Sequence, residues 1–276
     1  MTPPVRKALR TLQSYMPVVK PLKETLQIGA RRTLRIPHEG DFRVIPRLGL
    51  GPHSSFVDIG GNYGQSISST LTIYPGARIT SFEPNPSLAE RIRRRFVGAP
   101  NIIVVGSALG DEPGLVKLYI PVYRGYVYDG LASLDRAAAS SWLSSAQVYF
   151  FDPRRLEIRE IDVPVVRLDD VGVSPDFMKI DVQGWETHVL RGALETIGTH
   201  KPFILLENVH EGSEAMSILR PLGYQRFQYA KGQLIEGMDT ATNSLLVPPE
   251  RIVDMDGTLF PRVPSTAFQG SRSGVA

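Results

Sequence analysis

The 276-residue chain contains no cysteine, which excludes disulfides and thiolate-ligated metals. It has no apolar run near the roughly 20 residues that a membrane-spanning helix needs. Its N-terminus lacks the compact apolar core of a signal peptide. These absences predict a soluble, cytoplasmic protein. No internal repeat of solenoid type is visible. Apolar residues are plentiful: 42% of the chain is hydrophobic and 21% charged, a balance that buries a core rather than remaining disordered. The length suits one large domain or two small ones.

The charge is unevenly spread. The chain is +3 overall, yet residues 1–50 carry ten lysines and arginines against three acids, so the remainder is net acidic. A nucleic-acid binder carries its basicity on the working domain; here it sits on an extension, and no nucleic-acid partner is expected. Val5, Ala8, Leu9, Leu12 and Met16 recur at helical spacing, which predicts a basic amphipathic helix over 5–16. Such a helix either packs over the main domain with its basic face solvated, or meets a membrane surface or an acidic partner.

From about residue 51 the pattern alternates. Residues 55–59 read as a strand, 64–73 as a helix and 78–84 as a second strand. "NPSLAERIRRRF" opens a helix, with Asn85 as N-cap and Pro86 at the first helical position. "NIIVVGSAL" (101–109) is a continuous apolar strand of the kind buried on both faces of a parallel sheet. "GLVKLYIP" (114–121) reads as an edge strand. Residues 122–160 break the rhythm and are taken as an insertion over the ligand-bearing edge, a cover for substrate or a plain excursion. Tyr123, Tyr126 and Tyr128 within it can stack on a sugar or an aromatic ring. Strand 177–181, a helix over 185–197 stopped by Gly198, strand 201–208, a short helix over 213–220 and two further strands follow. Residues 249–276 lose periodicity and predict a loose tail.

Repeated strand–helix units predict a doubly wound α/β sheet, whose ligands bind beyond the carboxyl ends of the strands. Polar residues gather at that end of five strands: Asp58, Glu83, Ser107, Asp181 and Glu207-Asn208. The turn after the first strand, "DIGGNYG", fails the G-x-G-x-x-G spacing of a dinucleotide site, since Asn62 or Tyr63 stands where the second glycine belongs. Glu83, at the end of the second strand, can accept from both hydroxyls of a ribose. A nucleoside without a diphosphate therefore fits better than NAD. A nucleotide-dependent oxidoreductase, or a binding module of the same fold without turnover, remain the alternatives.

"VDIGGNYG", "SFEPNP", "VGSALGDEPGLVKLYIP", "ASL", "DFMKIDVQGWETHVLRGA" and "ILLEN" stand in one order over roughly residues 50–210. In these elements the chain resembles the FkbM-type family of S-adenosylmethionine-dependent methyltransferases. K-I-D-V-x-G-x-E is the most specific of them. The resemblance implies a class I methyltransferase fold, with a seven-stranded, mostly parallel, Rossmann-like sheet whose last strand is antiparallel. Charge and periodicity set off an N-terminal helical extension (1–50) and a tail (249–276) from the methyltransferase domain (51–248) that the resemblance implies. The resemblance further implies O-methylation of a hydroxyl on a small molecule or glycan. By position, Asp58, Gly60 and Gly64, with Asn62 in the same turn, would line the methionine end of S-adenosyl-L-methionine. Glu83 and Asn85 would hold the ribose, and Ser107 and Ala108 would border the adenine. Asn85 as a helix cap and Ser107 as a strand-end cap are equally open. Gly61 stands where the family commonly has Ala, a harmless change in a turn; Gln183 stands where it commonly has Glu.

Methyl transfer from a sulfonium is an in-line displacement that needs positioning and a route for the hydroxyl proton. Asp181, Glu207 and His210 are the candidates for that proton. Metal-dependent O-methyltransferases of this fold carry oxygen ligands at the positions of Asp181, Glu207 and Asn208, which would suit Mg²⁺. The opposing expectation is that Glu207 pairs with Lys179 and no metal is held.

Overall fold

The computed structural model describes residues 3–15, 38–239 and 243–260. Its strands are β1 (Ser55–Ile59), β2 (Arg78–Phe82), β3 (Ile102–Val105), β4 (Ala108–Leu109), β5 (Gly114–Tyr123) and β6 (Tyr126–Val127), then β7 (Leu156–Val166), β8 (Phe177–Ile180), β9 (Phe203–Glu207), β10 (Gln225–Ala230), β11 (Gln233–Glu236) and β12 (Asn243–Val247). The α-helices are α1 (Pro3–Tyr15), α2 (Gln65–Ile73), α3 (Pro86–Arg95), α4 (Arg136–Ser141), α5 (Glu186–Arg191), α6 (Leu194–His200) and α7 (Glu214–Leu219).

The main sheet runs β11-β10-β12-β9-β8-β1-β2-β3. β1, β2, β3, β8 and β9 pair in parallel, and β12 enters antiparallel between β9 and β10. This is the expected doubly wound sheet with its antiparallel last strand, but it has eight strands rather than seven. The extra strand, β11, folds back on β10 through Lys231-Gly232, both at positive φ, which is the geometry of a tight hairpin turn. Strand residues such as Phe56, Ile79, Phe177 and Phe203 face one buried cluster; Val57, Ile59, Met178 and Ile204 alternate into the other.

Three expectations about local structure change. The apolar run 101–109 is two strands: after Val105 the chain leaves the main sheet, and Ala108 and Leu109 pair with Val165 and Val166 in a second sheet, β4-β7-β5-β6. The long strands β5 and β7 of that sheet pair over their whole length, so 114–121 is no edge of the main sheet and most of the supposed irregular insertion is ordered. The helix expected over 185–197 breaks at Gly192, where a Cβ would lie 1.9 Å from the carbonyl oxygen of Gly110, and resumes as α6 past Gly198 to His200.

The extension divides at about residue 39. Phe42, Val44, Ile45 and Leu48 are buried in the same cluster as Phe56 and Phe177, so residues 40–50 are part of the main core. Met255 and Leu259 enter that cluster as well, which makes the described part of the tail ordered; residues 261–276 lie outside the described residues. α1 forms as expected but packs on the insertion, not on the main sheet: the Ser14 and Tyr128 hydroxyls are 2.6 Å apart and the backbone N–H of Tyr149 donates to Thr11 Oγ1 at 2.8 Å. Tyr123, Tyr126 and Tyr128 pack with Leu143 and Val148 in a small core of their own and are buried. They are not exposed for stacking on an acceptor.

Candidate active site

A row of side chains crosses the sheet before the site begins. Ser81 on β2, Asp58 on β1 and Lys179 on β8 are register partners. Ser81 Oγ donates to Asp58 Oδ2 at 2.9 Å. A Cβ on residue 61 would lie 2.4 Å from that hydroxyl, so Gly61 is the residue that leaves room for Ser81. An alanine here would make the Ser81 hydroxyl shift. The backbone N–H groups of Gly60 and Gly61 both donate to the carbonyl of Phe82, at 2.9 and 3.1 Å, which folds the turn back over β2. Gly60 has φ +88°, and a Cβ there would meet the carbonyl oxygen of Asp181 at 2.0 Å. It is the close approach of the β1 turn to the β8 end that requires this glycine.

A cavity opens at the carboxyl ends of these strands. Gly60, Asn62, Glu83, Ser107 and Ala108 line one side, and Asp181, Gln183 and Trp185 line another. The second sheet and its loops supply the remaining wall through Leu118, Asp129, Ser133 and Leu134. Ser133 Oγ donates to the carbonyl of Gln183 at 2.8 Å and ties that wall to the β8 loop. Asp58, Gly64 and Asn85 do not line the cavity. Asp58 is buried beneath the turn, Gly64 (φ +76°) would bring a Cβ to 3.0 Å from the Phe96 ring, and Asn85 caps α3 by accepting from the N–H of Ser87 at 3.1 Å.

Glu83 is buried, and its carboxylate joins two loops: Oε2 accepts from the N–H of Asn62 at 2.7 Å and Oε1 from the N–H of Asn85 at 2.8 Å. Burial pushes this carboxyl up to about 7, against the pull of those two donors. Each oxygen keeps a second lone pair for a ligand hydroxyl. Three further polar atoms that line the same cavity are buried with no partner: Asn62 Oδ1, Ser107 Oγ and Trp185 Nε1. Orphaned groups of this kind are costly unless a ligand satisfies them. An acceptor, a hydroxyl and a donor around a buried carboxylate with free lone pairs suit a nucleoside, and the apolar Leu88 and Leu109 beside them suit its ring.

At the other end, Lys179 Nζ lies 2.8 Å from Asp181 Oδ2. Burial alone would lower the Lys179 ammonium; Asp181, Glu39 and Asp58 around it raise it instead. Burial pushes Asp181 up, but Lys179 overrides that and holds its carboxyl below the usual range. Gln183 Nε2 donates to Asp181 Oδ1 at 2.9 Å and to Glu207 Oε2 at 3.1 Å, joining the two acids. Burial and then the Asp181 charge raise Glu207 to about 7. Glu39 and Asp41 reach the same corner from the N-terminal segment, both accepting from Asn243 Nδ2, at 3.1 and 2.9 Å.

This geometry does not fit the Mg²⁺ set. Lys179 pairs with Asp181, not with Glu207, and the ammonium already supplies the cation that neighbouring carboxylates need. Asn208 is exposed, and among the described residues no group of three histidine, aspartate or glutamate side chains could hold a metal. His210 is exposed beyond β9, and neither it nor Glu207 lines the cavity; Glu207 adjoins the wall through its hydrogen bond from Gln183. Trp185, Gln183 and Asp129, which line the cavity, were not picked out by the sequence as ligand-facing. A signal was available for Gln183 and Trp185, which fill the two variable positions of the K-I-D-V-x-G-x-E element.

Residues 58–226 match the methyltransferase FkbM domain. The chain belongs to the FkbM methyltransferase family. Membership makes it an S-adenosylmethionine-dependent methyltransferase and removes the oxidoreductase alternative. The 2-O-methyltransferase NoeI of Sinorhizobium fredii (strain NBRC 101917 / NGR234) is 30% identical over 206 residues, covering 70% of this chain and 82% of NoeI. Among solved structures, a methyltransferase FkbM from Methylobacillus flagellatus KT is 20% identical with a TM-score of 0.45, over 72% of this chain and 44% of that one. The chain thus spans under half of that FkbM structure. Fibrillarin from Aeropyrum pernix with bound S-adenosyl-L-methionine aligns over 74% of each chain at 13% identity, with a TM-score of 0.40.

Proposed function

We propose that this FkbM methyltransferase methylates a hydroxyl of a glycan or small polyhydroxylated molecule, with Glu207 as the group that takes the hydroxyl proton. The observation that carries this reading is the acid pair at the β8–β9 ends. Lys179 keeps Asp181 ionised, and that charge together with burial raises Glu207 to about 7. A base with a pKa near the working pH combines a useful ionised fraction with a useful proton affinity. Asp181, pinned by Lys179 and Gln183, is the orienting partner.

Glu83, Asn62, Ser107, Ala108 and Trp185 would hold S-adenosyl-L-methionine, which supplies an electrophilic methyl when bound. Gly60, beside Asp181, and Asn62, beside Glu83, both lie on the cavity wall, so a nucleoside held at Glu83 leaves room toward Asp181 for its methyl-bearing end. Glu39, Asp58, Asp181 and Glu207 surround Lys179, and Asp129 lines the cavity. This surplus of negative charge supports a neutral acceptor over one with a phosphate backbone, which needs basic residues at the contact. The 2-O-methyltransferase activity in NoeI's name supports a hydroxyl acceptor.

Glu207→Gln is the test. It should lower kcat by about 10²–10⁴-fold while leaving the calorimetric affinity for S-adenosyl-L-methionine within a factor of about three. In the wild type, transfer should rise with pH through about 7. A wild-type rate in Glu207→Gln would remove Glu207 from the proton path.

A further inference from the structure

α1 sits on the protein with its polar side inward. Lys7, Arg10, Thr11 and Ser14 share one face and make its contacts. Lys7 lies over the Tyr149 ring (4.4 Å), Arg10 over the Trp142 ring (4.6 Å), and Thr11 and Ser14 form the hydrogen bonds to Tyr149 and Tyr128. The opposite face carries Ala8, Leu9, Leu12 and Tyr15, all exposed, with Leu12 at 55% and Tyr15 at 50%. A helix that merely completes a fold turns its apolar stripe to the core; this one turns it to the outside. Beside it, Phe150 is 85% exposed and has φ +54°, a conformation that costs a bulky residue energy and gains it no burial. Tyr149, which α1 contacts, is its ring neighbour at 6.5 Å.

Basic residues outnumber acidic ones around this face. α1 contains three basic residues and no acid. Arg124 lies over the Tyr15 ring at 4.5 Å, and the exposed Arg154 and Arg155 follow, with Asp152 as their acidic partner. Exposed leucines and aromatics bordered by cations match the chemistry of an anionic lipid surface, where rings and aliphatic chains enter the interface and cations meet headgroups. None of the described helices is long and apolar enough to cross a membrane, so the contact would lie in the plane of the surface.

We infer that the outward face of α1, with Phe150, docks on an anionic membrane surface. None of these residues lines the catalytic cavity, so the inference is independent of the proposed acceptor. The test is flotation of the full chain with two kinds of vesicle: phosphatidylcholine alone, and phosphatidylcholine with about one-third phosphatidylglycerol. The protein should float with the anionic vesicles only, and about 0.5 M sodium chloride should weaken the binding. Leu9→Ser/Leu12→Ser/Phe150→Asn should lower the bound fraction by about tenfold or more with S-adenosyl-L-methionine affinity unchanged. Phe150→Asn alone, in which Asn tolerates the positive φ, should give a smaller loss and guards against misfolding of the triple variant. Failure to bind anionic vesicles, equal binding by the triple variant, or a dimer that Leu12→Ser dissociates would each overturn the inference.

Discussion

Replacing Glu83 with glutamine keeps the side-chain volume and removes its charge. In the wild type each carboxylate oxygen accepts one backbone N–H, at 2.7 and 2.8 Å, and keeps one lone pair for a ribose hydroxyl. Hydrogen bonds to a charged group contribute about 1.5–3 kcal/mol each. One acceptor survives in glutamine, so the expected loss is about 2–3 kcal/mol, or about 30- to 150-fold in Kd. The raised carboxyl adds a second signature. Only the ionised form accepts from two hydroxyls, and with its pKa at about 7 roughly one-tenth is ionised at pH 6. Wild-type Kd should therefore fall about tenfold from pH 6 to pH 8, and in Glu83→Gln that step should vanish. The sign for stability is the reverse. A carboxyl raised from 4.5 to about 7 on folding contributes stability that is full below about 4.5 and is lost as pH rises through 7. Titration calorimetry with 5′-deoxy-5′-methylthioadenosine measures the step, because that ligand has the ribose and adenine without the titrating amine of the methionine. A pH-independent wild-type Kd, or an unchanged Kd in a folded Glu83→Gln protein, would refute the assignment.

Gly60→Ala should lower the thermal midpoint by an amount corresponding to at least about 2 kcal/mol, since the new Cβ meets a backbone carbonyl of the neighbouring strand; differential scanning calorimetry reads this, and an unchanged midpoint would contradict the close approach. Lys179→Met removes the charge that keeps Asp181 ionised, so the acid limb of the transfer profile should shift and kcat should fall by about 10²-fold, with cofactor affinity little changed. Gln183→Glu replaces the donor between Asp181 and Glu207 with a third carboxylate; the acid limb should move up by about one pH unit. Chelation should leave transfer intact, because Lys179 provides the cation at Asp181; a loss in EDTA that Mg²⁺ restores would show a metal role that this geometry does not account for.

The legible part of the site lay at the strand ends. Asp58, Glu83, Ser107, Asp181 and Glu207 each close or follow an apolar strand, and a parallel sheet brings such ends together. The sequence could not show which end residues face the cavity. Asp58 and Gly64 lie behind its wall, one paired with Ser81 and the other against Phe96. Glu39 and Asn243 are 204 residues apart, and their hydrogen bond was invisible to any local pattern. The β3–β4 break was hidden because one apolar run served two sheets. The three tyrosines of the insertion looked like a recognition surface, but aromatic composition alone does not distinguish a binding face from the small core they build.

The central claim, transfer of a methyl group to a hydroxyl at the acid pair, is tested most directly with S-adenosyl-L-methionine carrying a ¹³C-labelled methyl group. The protein is incubated with a panel of mono- and oligosaccharides, and the products are examined by carbon–proton correlation NMR. The account predicts a new methyl resonance in the O-methyl region of one class of acceptor, with S-adenosylhomocysteine formed in equal amount and both lost in Glu207→Gln. A label arriving on nitrogen or carbon, or a full yield of O-methyl product from Glu207→Gln, would contradict it.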